Sequence, residues 1–567
     1  MYRSGKFLLF FLIISNFCIA QSVQPVFGDE IKLKQGSTNF DIIHMDNSGI
    51  YVEESHIALR TYFVFGATTR NAATLVKFDK NLSEVFSTNF NKELKGKNFE
   101  KIIPVNGKLF LIASSFKKTE NRMDFFAVEI DKNTGQMKKD WKPVFEIGKR
   151  GDKSDINYIM TSNADTTALV MISSRETDSD VTFSFKMFDD KMESIKTPVE
   201  IKYEVSPKKF EAQNLFFTKA GNILLINKIL DYKEGKKEKD RNLEFKEFDI
   251  KLYSIEGKLI KQINTTSING KYLVQSHLKE NKDGNFTLGA FYSDKRNISR
   301  ISGIYFCTIN QNTGEISNES SQELTTSQLS QMEADDDDDD EESAKEARER
   351  KRLEKLQKKD KNLSSTFKFR DFLHSPEGGF IVLAEKHYFY TDLITGSNGQ
   401  MRSVLHEVYG DLVLIKISAA NNVEWLNMLP KQQDMIIRSS ERSTSGFSIG
   451  TYVTRLLQTY GSIGNYYHEN TGNFLLLFND HSKNNNVLNI GQLIRVMQNP
   501  DKSNVNMLVV DPKTGKYKRK VLYSNKDQIN SMPVTGVQID KNFFMICKKW
   551  NKGFGKAKIA LAKLTVK

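Results

Sequence analysis

Apolar residues along this chain come in short runs, and the runs come in pairs. A weakly apolar strand, a turn holding Gly or Asn, and a more apolar strand recur at KIIPVNGKLFLIASS (101–115), NLFFTKAGNILLINKIL (214–230), HLKENKDGNFTLGAFYS (277–293), FLHSPEGGFIVLAE (372–385), YYHENTGNFLLLFN (466–479) and GVQIDKNFFMICKK (536–549). A second hairpin follows each, as in FAVEIDKNTGQMKK (126–139), IYFCTINQNTGEIS (304–317) and MLVVDPKTGKYKRKVLY (507–523). Asn, Asp and Gly at these turns tolerate positive φ, so both pairs read as antiparallel hairpins. Joined, they give about eight four-stranded units of roughly 50 to 70 residues, including a first near 40–88 and a third near 156–202. Such repetition with almost no helical periodicity predicts an all-β chain folded as a β-propeller. Seven blades with an irregular insertion is the alternative. The last unit ends at KIALAKLTV (558–566) one strand short, and EIKLK (30–34) is expected to supply that strand and close the ring.

The β pattern stops once. Residues 326–364 pass from Ser, Thr and Gln into Asp335–Asp340 and then EESAKEARERKRLEKLQKKDK (341–361). Acids precede bases, as a helix dipole favours, and Glu341–Lys345, Glu346–Arg350 and Glu354–Lys358 are spaced i,i+4. Too few apolar residues are present to bury a face, so a solvated helical insertion between blades is expected.

The first 20 residues carry Arg3 and Lys6, the run FLLFFLII and a Cys18-Ile19-Ala20 ending. That is the pattern of a signal peptide cut after Ala20, leaving 21–567 as one propeller domain. No later run is apolar enough to cross a bilayer as a helix. The formal charge is +12, or +10 without Arg3 and Lys6. For an exported protein this favours anionic envelope surfaces over nucleic acid. Cys307 and Cys547 sit in apolar runs of distant units and read as buried free thiols.

Motifs with chemistry are few. The chain has no G-x-S-x-G elbow, Gly-rich phosphate loop or CxxC. Asp131-x-Asn133-x-Gly135 lacks the downstream carboxylate of a calcium loop and reads as a hairpin turn. No cofactor is expected; weak Ca2+ binding at Asp335–Asp340 is the exception to weigh. His387 and His406 share one predicted hairpin, where zinc would lack two further ligands.

The run 378–433, followed by NFLLLFNDHSKN (473–484), carries a distinctive order. An aromatic hairpin precedes a Gly410-Asp411 strand, then a Trp425 strand, then Pro430-Lys431-x-Gln433. This resembles a group of uncharacterised exported β-propeller-like proteins of Bacteroidota, in which Asn usually stands at the place of Gly410. The resemblance implies an envelope protein and brings no activity. The C-terminal KIALAKLTVK resembles the end of a type IX secretion signal domain, but the Pro-Asn-Pro and Gly-x-Tyr features before it are missing.

The expected binding surface is the aromatic hairpin with the long 434–463 connection: His387, Tyr388, Phe389, Tyr390, Tyr409, Arg455 and Tyr460. Aromatic and Arg side chains on protruding loops of a rigid scaffold make protein contacts. The expectation is a non-catalytic periplasmic subunit, peripheral to the membrane, docking on an outer-membrane transport or secretion complex of the type IX kind. Cell-surface display or secretion is the alternative location. The competing function is a carbohydrate-binding or hydrolytic propeller with carboxylates of different blades meeting in the central channel.

Overall fold

A computed structural model describes residues 23–34, 37–62, 66–148, 157–162, 166–218, 221–232, 243–265, 271–281, 283–295, 300–324, 363–364, 366–375, 379–395, 401–437, 460–468, 472–488, 492–549 and 558–566. The chain is an eight-bladed β-propeller of four-stranded antiparallel blades. Blades 1 to 7 span 37–89, 98–148, 157–203, 210–265, 272–323, 367–429 and 464–524; blade 8 combines 531–566 with 23–27. The described residues contain no α-helix, only single 3-10 turns at Pro207–Lys209, Ser482–Asn484 and Pro500–Lys502.

The middle strands read as unbroken apolar runs because each has two buried faces. In Lys108–Lys117 of blade 2, Leu109, Leu111 and Ala113 pack toward blade 1, whereas Phe110 and Ile112 pack toward blade 3. Blade 7 repeats this: Leu475 and Leu477 face blade 8, and Phe474, Leu476 and Phe478 face blade 6. Among the described residues eight apolar clusters form; seven bridge two neighbouring blades, and the eighth, between blades 8 and 1, also takes in Tyr409 of the blade 6 hairpin with Met435, Tyr460 and Met497. The cluster between blades 8 and 1 joins Ile546, Ile559 and Leu561 to Phe40, Val52 and Val76. Cys307 lies in the blade 4–5 cluster and Cys547 in the blade 7–8 cluster, both as free thiols. Burial pushes each thiol up to about 12.

Three third-to-outer turns share one sequence logic. In Asp131–Gly135, Asn310–Gly314 and Asp511–Gly515 the leading side chain accepts from the backbone N–H two residues on. Each ends on a glycine at φ near +70°: +72°, +69° and +70°. A Cβ on Gly515 would also lie 2.7 Å from the Trp425 ring, so only glycine lets this turn sit against blade 6.

Blade 8 departs from the sequence expectation. Its outer strand is Val23–Phe27, antiparallel to Lys558–Val566; of the expected 30–34 segment only Ile31–Lys32 pairs, near the other end of the same strand. Position 25 is a proline, which an outer strand tolerates because one edge makes no ladder bonds. The expected charged insertion (326–364) and the expected signal peptide (1–20) lie outside the described residues, apart from Leu363–Ser364, which pairs with Arg300–Ile301 beside blade 5.

Candidate functional site: the braced hairpin of blade 6

The two middle strands of blade 6 outgrow their blade. Phe380–Thr395 has 16 residues and Met401–Ile417 has 17, against 10 and 9 for the equivalent strands of blade 2. Residues 380–385 and 412–417 belong to the blade proper. After a bulge between Glu385 and His387 the ladder continues outward as 387–395 against 401–409. A further strand, Gln433–Ile437, pairs with 405–409, and Met497 joins it in parallel at Gln433. Blade 1 (Gly49–Tyr62, Gly66–Phe78) has a comparably long hairpin in the same position.

A buried ionic cluster sits at the bulge. Glu385 and Lys431 are both fully buried, with Lys431 Nζ 2.6 Å from Glu385 Oε1. The other carboxylate oxygen accepts from Arg370 Nε at 2.6 Å and from the Ser462 hydroxyl at 2.8 Å. Lys431 Nζ also donates to Gln433 Oε1 at 2.8 Å and to the Tyr409 carbonyl at 3.3 Å. Gln433 in turn donates to the Asn479 carbonyl of blade 7 at 2.6 Å and accepts from the Ser462 N–H at 2.8 Å. Burial alone would raise the Glu385 carboxyl, but Lys431 and Arg370 hold it below the usual carboxylate range. Burial pushes the Lys431 amine down, against the pull of Glu385. Burial also raises the Asp411 carboxyl, which accepts from the Lys431 N–H at 3.2 Å. With Glu385 and Lys431 buried and only Arg370 partly exposed, this cluster holds backbone segments together.

The hairpin's two faces hold separate polar pairs. Residues 387, 389, 407 and 409 share one face, and 388, 390, 406 and 408 share the other. His387 Nε2 lies 2.9 Å from Glu407 Oε1, its ring stacked on Tyr409. His406 Nδ1 lies 2.8 Å from Asp434 Oδ1, and Tyr390 donates its hydroxyl to Asp434 Oδ2 at 2.7 Å. The two imidazoles thus occupy opposite faces, each with its own carboxylate. This overturns the idea of a shared zinc pair.

The sequence-derived surface therefore divides. Phe389 is 47 % exposed, and Tyr388 and Tyr390 are half-buried. Tyr409 and Tyr460 are buried in the cluster between blades 8 and 1, with Tyr460 donating to the Lys548 carbonyl at 3.0 Å. Arg455 and Asp335–Asp340 lie outside the described residues. Sequence reasoning missed Arg370, Glu385 and Ser462 as members of one cluster. Lys431, Gln433, Asp411 and Trp425 had been noted only as positions of a pattern. All four prove to be anchors, Trp425 Nε1 donating to the Pro512 carbonyl at 3.0 Å.

Two acids on the innermost strands, Glu100 and Asp371, are held by neighbouring side chains. Glu100 accepts from Ser114 and from the Tyr158 hydroxyl, and Asp371 meets Lys279 at 3.1 Å and Asn465 at 3.0 Å. No group of three or more His, Cys, Asp or Glu among the described residues is placed to hold a metal ion. A cleft between blades 1 and 2 contains Asp46, Lys108, Asp131 and Lys132. Burial works against the Asp46 charge, but Lys132 at 2.5 Å and Ser48 hold its carboxyl well below the usual range. Asp131 spends its carboxylate on the N–H groups of Asn133 and Thr134 in its own turn.

No family model matches the chain, and no curated protein matches it in sequence. Solved structures similar to it include an alpha-L-arabinanase from Penicillium chrysogenum, with 9 % identity over 53 % of this chain and 98 % of that one, at a TM-score of 0.28. The β-propeller domain of the Trilobed protease from Pyrococcus furiosus matches with 9 % identity over 72 % and 97 % of the two chains, at 0.29. An alpha-L-arabinofuranosidase from Fusarium graminearum matches with 8 % identity over 59 % and 93 %, at 0.27. Likenesses of this size carry no activity over to the present chain.

Proposed function

We propose that this chain is an exported, non-catalytic propeller that works in the periplasm as a protein-interaction subunit, peripheral to the membrane. Its partner in this reading belongs to an outer-membrane transport or secretion complex, of the type IX kind. The two ends of the chain close the ring through blade 8, as the pairing of Val23–Phe27 with Lys558–Val566 supports. The observation carrying the reading is the braced hairpin. A fully buried Glu385–Lys431 ion pair fixes the root of a sheet that extends from blade 6 and leaves Phe389 (47 %) and Ile436 (53 %) in solvent. Rigid projection lowers the ordering cost of docking, which suits a recognition element. Lysine-rich composition and a net positive charge suit an acidic protein surface.

The test is a pull-down from solubilised outer membranes with the wild-type chain and with Phe389→Asp/Ile436→Asp. Both positions are exposed, so the fold should tolerate the change. The reading expects a partner captured by the wild type and lost by the variant. Equal capture by both would reject this hairpin as the docking element. Measurable oligosaccharide binding, abolished by substitutions on the innermost strands, would replace the reading with the carbohydrate-active one.

A further inference from the structure

The outer strand of blade 7, Tyr517–Ser524, is unlike its seven counterparts. It begins Tyr-Lys-Arg-Lys, and the turn leading into it adds Lys513 and Lys516. Elsewhere, outer strands Glu84–Asn89, Ile316–Glu323, Val423–Leu429 and Val23–Phe27 contain no lysine or arginine, and the other three contain one lysine each. Lysine on an edge strand guards against edge-to-edge association. Since the other seven edges manage with one or none, that need does not account for the concentration here.

Lys513, Lys516, Lys518 and Lys520 are all exposed. Lys518 and Lys520 alternate along the strand and share one side of it, opposite Val509 and Met507. Lys516 to Lys520 covers about 13 Å at the rise of an extended strand. Arg519 turns to the other side and is consumed there: it donates to Asp480 at 2.6 Å, Asn506 at 2.9 Å and the Val487 carbonyl at 3.0 Å. Those bonds hold the connection that follows Asn484 against the strand, and Tyr517 fixes it again by donating to the Leu488 carbonyl at 2.6 Å. Leu488 and Leu493 on that connection remain 37 % and 42 % exposed. The rim of blade 7 thus sets a row of cations on one side of an edge and two bare leucines on the other.

We infer that this rim is a docking surface for an anionic lipid bilayer, with the lysines on headgroup phosphates and the leucines at the headgroup boundary. Charge complementarity selects the occupant. A leaflet offers a dense, unpatterned array of phosphates, which a row of flexible ammonium groups matches without bidentate geometry, and shallow apolar side chains add area. The inference rests on the envelope reading only in requiring that a membrane be at hand.

The experiment uses purified full-length chain and vesicles of phosphatidylcholine alone or mixed with phosphatidylglycerol. One variant is Lys516→Gln/Lys518→Gln/Lys520→Gln. A control, Lys80→Gln/Lys191→Gln/Lys258→Gln, removes the same charge from exposed positions on blades 1, 3 and 4. Each lysine at an anionic surface contributes roughly a five-fold factor in partitioning, so the rim variant should bind about a hundred-fold more weakly. The control should bind within about two-fold of wild type, and Leu488→Ser/Leu493→Ser should weaken binding without altering its salt dependence. Absence of binding to the anionic vesicles would overturn the inference, as would equal losses in rim variant and control. Binding confined to a soluble acidic polysaccharide would also overturn it. Because no protein partner is present, these outcomes are independent of the pull-down.

Discussion

Lys431→Met tests the brace beneath the projecting hairpin. Methionine keeps an unbranched apolar stem close to that of the lysine but removes the cation facing Glu385 and the donor to Gln433. Stranding one partner of a buried ion pair costs about 3–5 kcal/mol. Glu385 retains Arg370 and Ser462, which lowers the figure, whereas an undersatisfied Gln433 oxygen adds about 1 kcal/mol. The net expectation is a loss of about 3 kcal/mol, placed at the hairpin root and not shared around the ring. Hydrogen exchange resolves such local opening. Amides in 387–395, 401–411 and 433–437 should exchange roughly a hundred-fold faster in the variant, while blades 2 to 4 stay as they were. A cycle with Glu385→Gln should show about 2 kcal/mol of coupling, the double variant costing less than the sum. Acceleration under about three-fold, or spread evenly over all blades, would refute the brace.

Two further outcomes follow from the structure. His277, on the innermost strand of blade 5, packs against Phe369 and Phe372, and burial lowers its imidazole to about 4. Below pH 6.5 the unfolded chain takes up this proton before the folded one, so stability should rise with pH between about 4 and 6.5. The span is about 3 kcal/mol, read by denaturant titration, and His277→Gln should flatten it. Phe27→Ala removes the edge contact with Tyr523 at 5.3 Å between ring centres and part of the blade 7–8 cluster. A half-buried ring suggests a loss of about 2 kcal/mol, with faster exchange in 558–566; unchanged exchange there would deny Val23–Phe27 its part in blade 8.

The blades were legible because a strand buried on both faces leaves an uninterrupted apolar signature, as in Leu109–Ala113 and Phe474–Phe478. The turns were legible because Asp131, Asn310 and Asp511 each cap their own loop. The brace was not. Glu385 meets Ser462 across 77 positions of sequence, and neither residue differs in type from dozens of surface neighbours. Length hinted at the blade 6 hairpin, but its aromatic content misled: Tyr409 and Tyr460 serve the core, and only Phe389 of the rings singled out is substantially exposed. Val23–Phe27 carries little strand signal because Pro25 interrupts a strand pattern everywhere except at an edge.

The most direct test of the interaction reading is a hydrogen-exchange footprint of the chain with and without the solubilised envelope fraction that it captures. The account predicts protection concentrated in 387–395, 401–409 and 433–437. Protection of the innermost strands by an oligosaccharide instead, with the hairpin unchanged, would contradict it.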